Sequence, residues 1–145
     1  MEIYSIGFTQ KSASQFFGAL KSAGIRRLMD VRLNNKSQLA GFTKNTDLPF
    51  FLRELCDASY IHEPLLAPTQ EMLDDYKKKK GNWADYEELF LALMVKRDIS
   101  NALDPRTFQE PTVLLCSEPT AEKCHRRLVL EYLQRHWHGL IIRHL

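Results

Sequence analysis

The residues best suited to chemistry lie close together in one segment, Cys116-Ser-Glu-Pro-Thr-Ala-Glu-Lys-Cys-His-Arg-Arg127. Within it are two thiols, two carboxylates, a histidine and two arginines. The apolar run Thr112-Val-Leu-Leu-Cys116 before it predicts a buried strand, and Thr120 is a suitable N-cap for a helix. We therefore expect these side chains at a strand-to-helix turn, where helix amides favour an anion.

Three kinds of chemistry fit this segment. Helix amides, together with Arg126 and with Arg32 from a preceding loop, could bind a phosphate or carboxylate. Cys116 or Cys124 could act as a thiolate, because a helix N-terminus and nearby arginines lower the pKa of a thiol. A phosphatase- or rhodanese-like loop is absent, since such a loop needs an arginine about six residues after its cysteine and Glu122 stands there.

A metal site would use Cys116, Cys124, His125 and His62. The sequence contains no Cys-x-x-Cys pair, and adjacent residues such as Cys124 and His125 point about 100° apart on a helix. We therefore predict no metal ligands, and no particular cofactor is indicated. A simpler interpretation of His62 is a core histidine bonded to a backbone carbonyl.

Polar residues also follow the first two predicted strands. Ligands bind beyond the carboxyl ends of the strands in open α/β sheets. The predicted ligand-binding residues are Gly7, Thr9, Arg32, Cys124 and Arg126. Alternatively, Asp30 and Arg32 are a charged pair that ends a strand.

Four residues are predicted to be catalytic. Asp30 or Glu118 would serve as general acid or base, and His125 would orient a group or carry a proton. Cys116 is a candidate nucleophile.

Short apolar runs alternate with amphipathic helices along the chain. The predicted strands are 3–6, 27–31, 60–63, 112–116 and 140–145, and the predicted helices begin near Ser12, Asp47, Thr69, Asn82 and Thr120. This alternation predicts a single three-layer α/β/α domain over residues 1–145, around a mainly parallel sheet of about five strands.

Composition indicates a folded domain and argues against a membrane-spanning protein. The chain has 145 residues, 44% of them hydrophobic and 26% charged, which is typical of a folded domain. A membrane span would need about 18 consecutive apolar residues, and no such run exists. The N-terminus does not resemble a signal peptide, and three cysteines are an odd number. We therefore expect a cytoplasmic protein with free thiols, no membrane partner and an undetermined oligomeric state.

Charge is unevenly distributed although the net charge is only +2. Residues 10–46 carry +6 and residues 123–145 carry +4. One alternative function is therefore a non-catalytic module that binds nucleic acid or protein through these two stretches. A second alternative is a thiol redox protein that uses Cys116 and Cys124.

Four segments carry a resemblance to a known family. They are Tyr4–Thr9, Leu28–Arg32 with Ser37-Gln-Leu-Ala-Gly-Phe42, Tyr60–Pro64, and Leu114–Glu118 leading to Cys124-His-Arg126. Across essentially the whole chain, the sequence resembles the domain-of-unknown-function 488 family. Phe8 departs from the pattern, because many relatives have histidine there.

The resemblance implies an α/β fold and one site, but it supplies no reaction. Our leading hypothesis is a polar, anion-binding cleft at the carboxyl ends of the strands. The ligand would be a phosphate-bearing small molecule or nucleotide, and an enzymatic reaction would be hydrolysis or group transfer.

Overall fold

Five strands form one open sheet in the computed structural model, which describes residues 1–36 and 40–145. The strands are β1 (Glu2–Gly7), β2 (Arg27–Asp30), β3 (Ser59–His62), β4 (Thr112–Cys116) and β5 (Ile141–His144). All pairings are parallel, and the strand order is β3-β2-β4-β1-β5. The predicted α/β fold with a five-stranded, mainly parallel sheet is confirmed.

Helices cover both faces of the sheet. They are α1 (Ala13–Ser22), α2 (Leu48–Cys56), α3 (Gln70–Lys77), α4 (Trp83–Lys96), α5 (Ile99–Ala102) and α6 (His125–His136). The predicted capping box begins α1: Gln15 N donates to Ser12 Oγ at 3.1 Å, and Ser12 N donates to the Gln15 side chain at 2.9 Å. Among the described residues, no helix is both long enough and apolar enough to cross a membrane.

The alternation of side chains along β4 divides the core in two. Val113 and Leu115 pack with α1 and α2 on one face, whereas Leu114 and Cys116 pack with α4 and α6 on the other. Successive residues of a strand face opposite sides. The sequence of β4 therefore places the Cys116 thiol on the side of α4 and α6.

The chain reverses its direction across the sheet after β3. It runs from β1 past the later position of β4 to β2 and β3, and then returns to insert β4 between β2 and β1. Gly7 pairs with Cys116, and Asp30 pairs with Leu115. The carboxyl ends of three strands thus meet where the strand order switches, which is where α/β sheets bind ligands.

One expectation about local structure needs correction. The helix predicted from Thr120 begins only at His125, because tertiary bonds hold the preceding loop in another conformation: Thr9 N donates to the Ser117 carbonyl, and Arg126 donates to the Glu118 carbonyl. The sequence also gave no signal for α5, which spans a single turn. Residues 37–39 of the Ser37–Phe42 motif lie outside the described residues.

Candidate functional site

Cys116, Cys124 and His125 form a buried cluster at the carboxyl end of β4. Their ligand-type atoms all lie within 4.8 Å of one another. Cys116 Sγ is 3.5 Å from His125 Nδ1. All three residues are at least nine-tenths buried, with exposed fractions of 6%, 2% and 6%. Two thiols and an imidazole are therefore close enough to exchange protons or share a bound atom.

A backbone carbonyl orients the His125 ring. Nε2 lies 2.8 Å from the Val31 carbonyl oxygen. A carbonyl only accepts hydrogen bonds, so Nε2 carries the hydrogen, and in the neutral ring Nδ1 keeps its lone pair. The ring also packs against Phe90, with centroids 5.4 Å apart. Cys116 Sγ lies beside this ring, 3.5 Å from Nδ1 and 3.9 Å from Nε2.

The convergence of Cys124 and His125 depends on where α6 begins. Cys124 is the N-cap of α6 and has extended backbone angles, φ −138° and ψ 139°. The 100° divergence expected for neighbours on a helix therefore does not apply to this pair. The objection to a metal site that rested on this divergence is removed.

The two thiols have opposite pKa shifts. A hydrogen bond from Cys124 lowers the pKa of Cys116, with further contributions from the Ser117 amide and the Arg126 charge, against the opposing effect of burial. The same thiol contact and burial raise the pKa of Cys124. Of the two, Cys116 is the sulfur that carries negative charge more readily.

Arg126 is fully buried beneath the loop that follows β4. Its Nε donates to Ser5 Oγ at 3.2 Å, and its Nη1 donates to the Glu118 carbonyl at 2.8 Å. Among the described residues, no carboxylate lies within ion-pair distance of it. Its charge favours an anionic Cys116. Arg126 thus holds the loop by a hydrogen bond to the Glu118 carbonyl and stabilises a thiolate at Cys116 by its charge.

Asp30 and Arg32 bind each other. Arg32 Nε and Nη2 donate to the two carboxylate oxygens at 2.8 and 2.9 Å, and both side chains are buried. Tyr60 donates to the same carboxylate at 2.7 Å. His62 Nε2 lies 2.8 Å from the Arg32 carbonyl. The simpler interpretations of the charged pair and of His62 therefore describe the observed contacts.

A pocket of about 300 Å³ opens beside the cluster. Its lining includes Cys116, Cys124 and His125 together with the aromatic residues Tyr76, Trp83 and Tyr86. Trp83 and Tyr86 stack with ring centroids 5.2 Å apart. Four basic residues (Arg32, Lys77, Lys78 and Lys123) and two acidic ones (Asp74 and Glu118) complete the charged part of the lining. The pocket combines an aromatic wall with more positive than negative side chains.

Glu118 is bound to a lysine within this lining. Lys77 Nζ lies 2.6 Å from Glu118 Oε1. Burial acts to lower the pKa of Lys77, but the hydrogen bond to Glu118 and the charge of Glu118 together raise it above its ordinary value. The ion pair holds α3 to the loop after β4, across one side of the pocket.

Five of the residues predicted from the sequence line this pocket: Arg32, Cys116, Glu118, Cys124 and His125. Gly7 and Thr9 instead contact the backbone of the loop after β4, and Asp30 and Arg126 are wholly buried. Sequence reasoning missed the pocket lining from α3 and α4. The available signal was the group of aromatic residues, Tyr76, Trp83 and Tyr86, on either side of the lysine run 77–80.

An open, all-parallel α/β sheet with a buried cysteine and histidine cluster at its switch point defines the class of this protein. The chain belongs to the family described as domain of unknown function DUF488, which it matches over residues 12–133. Neither the comparison with curated proteins nor that with solved structures finds a match.

Proposed function

We propose that the protein is a hydrolase or transferase that acts on a phosphate-bearing small molecule or nucleotide in the pocket beside α3 and α4. One observation carries this proposal: Cys116, Cys124 and His125 share a pocket lining with Lys77, Lys78 and Lys123. Reactive side chains and anion-attracting side chains are thereby placed within reach of one small ligand.

The aromatic wall supports a ligand with a planar part. Tyr76 and Trp83 are half-buried, so their rings remain accessible from the pocket. A nucleobase or another flat ring would stack there while its phosphate met the lysines. Among the predicted acid or base groups, Glu118 is the carboxylate that lines the pocket, and it is the residue we propose for proton transfer.

The anion contacts that we propose differ from those predicted from the sequence. Arg32 is bound to Asp30, and Arg126 is bound to the protein backbone and Ser5. We therefore assign the phosphate to the lysines, above all Lys78: its side chain is 76% exposed, so its ion pair with Asp74 is weak compared with the buried pair of Arg32 and Asp30.

A binding experiment with a matched pair of lysines tests the proposal. Lys78 and Lys79 are both 76% exposed and each pairs with an aspartate four residues earlier, but Lys79 lies outside the pocket. A thermal-shift and Trp83 fluorescence screen would compare nucleoside monophosphates, nucleosides and inorganic phosphate. Lys78→Ala should weaken phosphate-ligand binding about tenfold, and Lys79→Ala should not. Equal effects, or no ligand at all, would refute the proposal.

The interaction-module alternative has less support. Five of the seven arginines in the two basic stretches are paired with carboxylates: Arg26 with Asp57, Arg27 with Glu110, Arg32 with Asp30, Arg127 with Glu131 and Arg143 with Glu2. Neutralised arginines contribute little to phosphate-backbone binding. Binding to an oligonucleotide that weakens steeply with salt would favour this alternative.

The redox alternative rests on the proximity of the Cys116 and Cys124 thiols, whose sulfur atoms lie within 4.8 Å of each other. A peroxide would accept two electrons and two protons from them, forming one disulfide and water. Mass spectrometry after mild oxidation would detect this bond.

A further inference from the structure

We propose that Cys116, Cys124 and His125 bind one Zn²⁺ ion through two thiolates and the Nδ1 atom, with a fourth coordination position open to the pocket. This inference deepens the proposed function, because it supplies the reacting centre with a cofactor. It depends on the geometry of three side chains and not on the identity of any substrate.

The ligand types fit zinc. Zn²⁺ binds cysteine sulfur and histidine nitrogen, and sites with three protein ligands leave a fourth position for water or substrate. Among the described residues, Cys116, Cys124 and His125 are the only group of three or more potential ligands brought together in this way. His62, the fourth ligand considered from the sequence, instead lies against the Arg32 carbonyl.

The spacing also fits. Tetrahedral zinc with bonds of about 2.3 Å to sulfur and about 2.0 Å to nitrogen places these two ligand atoms about 3.5 Å apart. Cys116 Sγ and His125 Nδ1 are separated by 3.5 Å. All three ligand atoms lie within 4.8 Å of one another, so a turn of the His125 ring with a shift of the sulfurs brings them around one ion.

The surroundings of His125 match those of a metal ligand. A ligating histidine usually donates its second ring N–H to a carbonyl or carboxylate, which fixes the tautomer that presents the other nitrogen. The Val31 carbonyl accepts from Nε2 at 2.8 Å and performs this role. Nδ1 is therefore the free nitrogen, but Cys116 Sγ lies beside the ring, 3.5 Å from Nδ1 and 3.9 Å from Nε2, so the ring must turn for its lone pair to meet an ion held by the two sulfurs.

The charges balance at the site. On binding, two S–H bonds break, two Zn–S bonds form, and the two protons pass to solvent. Two thiolates compensate the two positive charges of the ion, so the buried centre becomes neutral. The pocket provides the entry path, since all three residues line it.

Cobalt and zinc titrations of the full chain test the inference. The protein is first stripped with a chelator and reduced with a phosphine until all three cysteines titrate as thiols. We expect one equivalent of Co²⁺ to produce thiolate charge-transfer absorption and the intense visible bands of tetrahedral cobalt. One equivalent of Zn²⁺ should then displace it.

Cys124→Ser and His125→Gln are the informative variants, and Cys56→Ser is their matched control. Cys56 lies on α2, where its thiol faces the Phe17 carbonyl away from the cluster. The first two variants should weaken binding at least about 100-fold, because even the loss of an outer-shell partner costs 10–100-fold. Cys56→Ser should bind like the unchanged protein. Far-ultraviolet circular dichroism would verify that each variant is folded.

The outcomes separate this inference from the proposed function. Reduced, folded protein that binds no cobalt, or folded variants that all bind it equally, would overturn the metal site. Lys78→Ala should retain full cobalt binding, because Lys78 belongs to the pocket and not to the cluster. A protein that binds zinc but no phosphate ligand would support the metal site and refute the proposed substrate class.

Discussion

The carbonyl oxygen of Glu118 occupies the place where any side chain on Gly7 would begin. A Cβ built on Gly7 would lie 1.6 Å from that oxygen and 3.0 Å from Arg126 Nη1. The end of β1 and the loop after β4 therefore touch backbone to backbone. Gly7, which the sequence placed among the ligand-binding residues, acts here by allowing this approach.

Gly7→Ala should consequently displace the loop that carries Glu118. Overpacking of this kind costs about 3 kcal/mol of the free energy of unfolding. Gly18→Ala is the matched control: Gly18 is exposed on α1, with no atom within 4 Å of the added methyl, so this change should stabilise the protein by about 1 kcal/mol. Urea denaturation of both variants measures the two effects. If the two variants had similar free energies of unfolding, the loop would be able to move away from the added methyl group at no cost, which would contradict the prediction.

Arg32→Met should destabilise the protein strongly. The change leaves the wholly buried Asp30 carboxylate without its arginine, and breaking a buried pair from one side costs about 3–5 kcal/mol. Arg53→Met is the comparison, because Arg53 pairs with Glu54 at the surface. Its effect should stay within about 0.5 kcal/mol. An unchanged stability of Arg32→Met would return Arg32 to the list of candidate anion contacts.

Arg126→Met tests whether the buried arginine holds the loop. Removal of the guanidinium leaves the Glu118 carbonyl and the Ser5 hydroxyl without their donor, at a cost of about 2–3 kcal/mol. Arg135→Met, on the exposed end of the same helix, should change the free energy of unfolding by less than about 0.5 kcal/mol. Denaturant melts followed by circular dichroism give both values.

His144 should titrate below its ordinary pKa. Partial burial lowers the pKa, and the positive charge of Arg126 adds to this effect. Because the unfolded chain then binds more protons, His144 should reduce stability as the pH falls through about 6.5 toward the lower folded-state pKa. An NMR titration of the His144 ring would measure the shift, and His144→Gln should reduce the loss of stability in that range. A pKa at or above 6.5 would contradict the prediction.

The sequence was sufficient where a local signal determines the structure. The apolar run Thr112–Cys116 forms the central strand, and the Ser12–Gln15 capping box begins α1 as predicted. The start of α6 was not predictable in this way. Thr120 is of a residue type that favours the N-cap position. However, the path of the chain there is determined by Thr9, which is distant in the sequence, and by Arg126, which lies just beyond the loop.

The same difference between local and long-range contacts explains which parts of the site could be predicted from the sequence. Cys116, Glu118, Cys124 and His125 are near one another in sequence, so their proximity could be expected. The hydrogen bond from His125 to Val31 joins residues 94 positions apart, and the aromatic wall comes from a separate pair of helices. Such relationships depend on the packing of whole elements and leave no short motif.

The strand order also affects how the protein can fold during synthesis. The central strand β4 is the fourth to emerge from the ribosome, and it joins β2 to β1, which were made about 85 to 110 residues earlier. Until residues 112–116 are available, β1 has no partner and the β2–β3 pair remains isolated. Contacts so distant in sequence slow folding. A nascent chain of this kind exposes unpaired strand edges until residues 112–116 have been made, and a chaperone that shields them would increase the yield of folded protein.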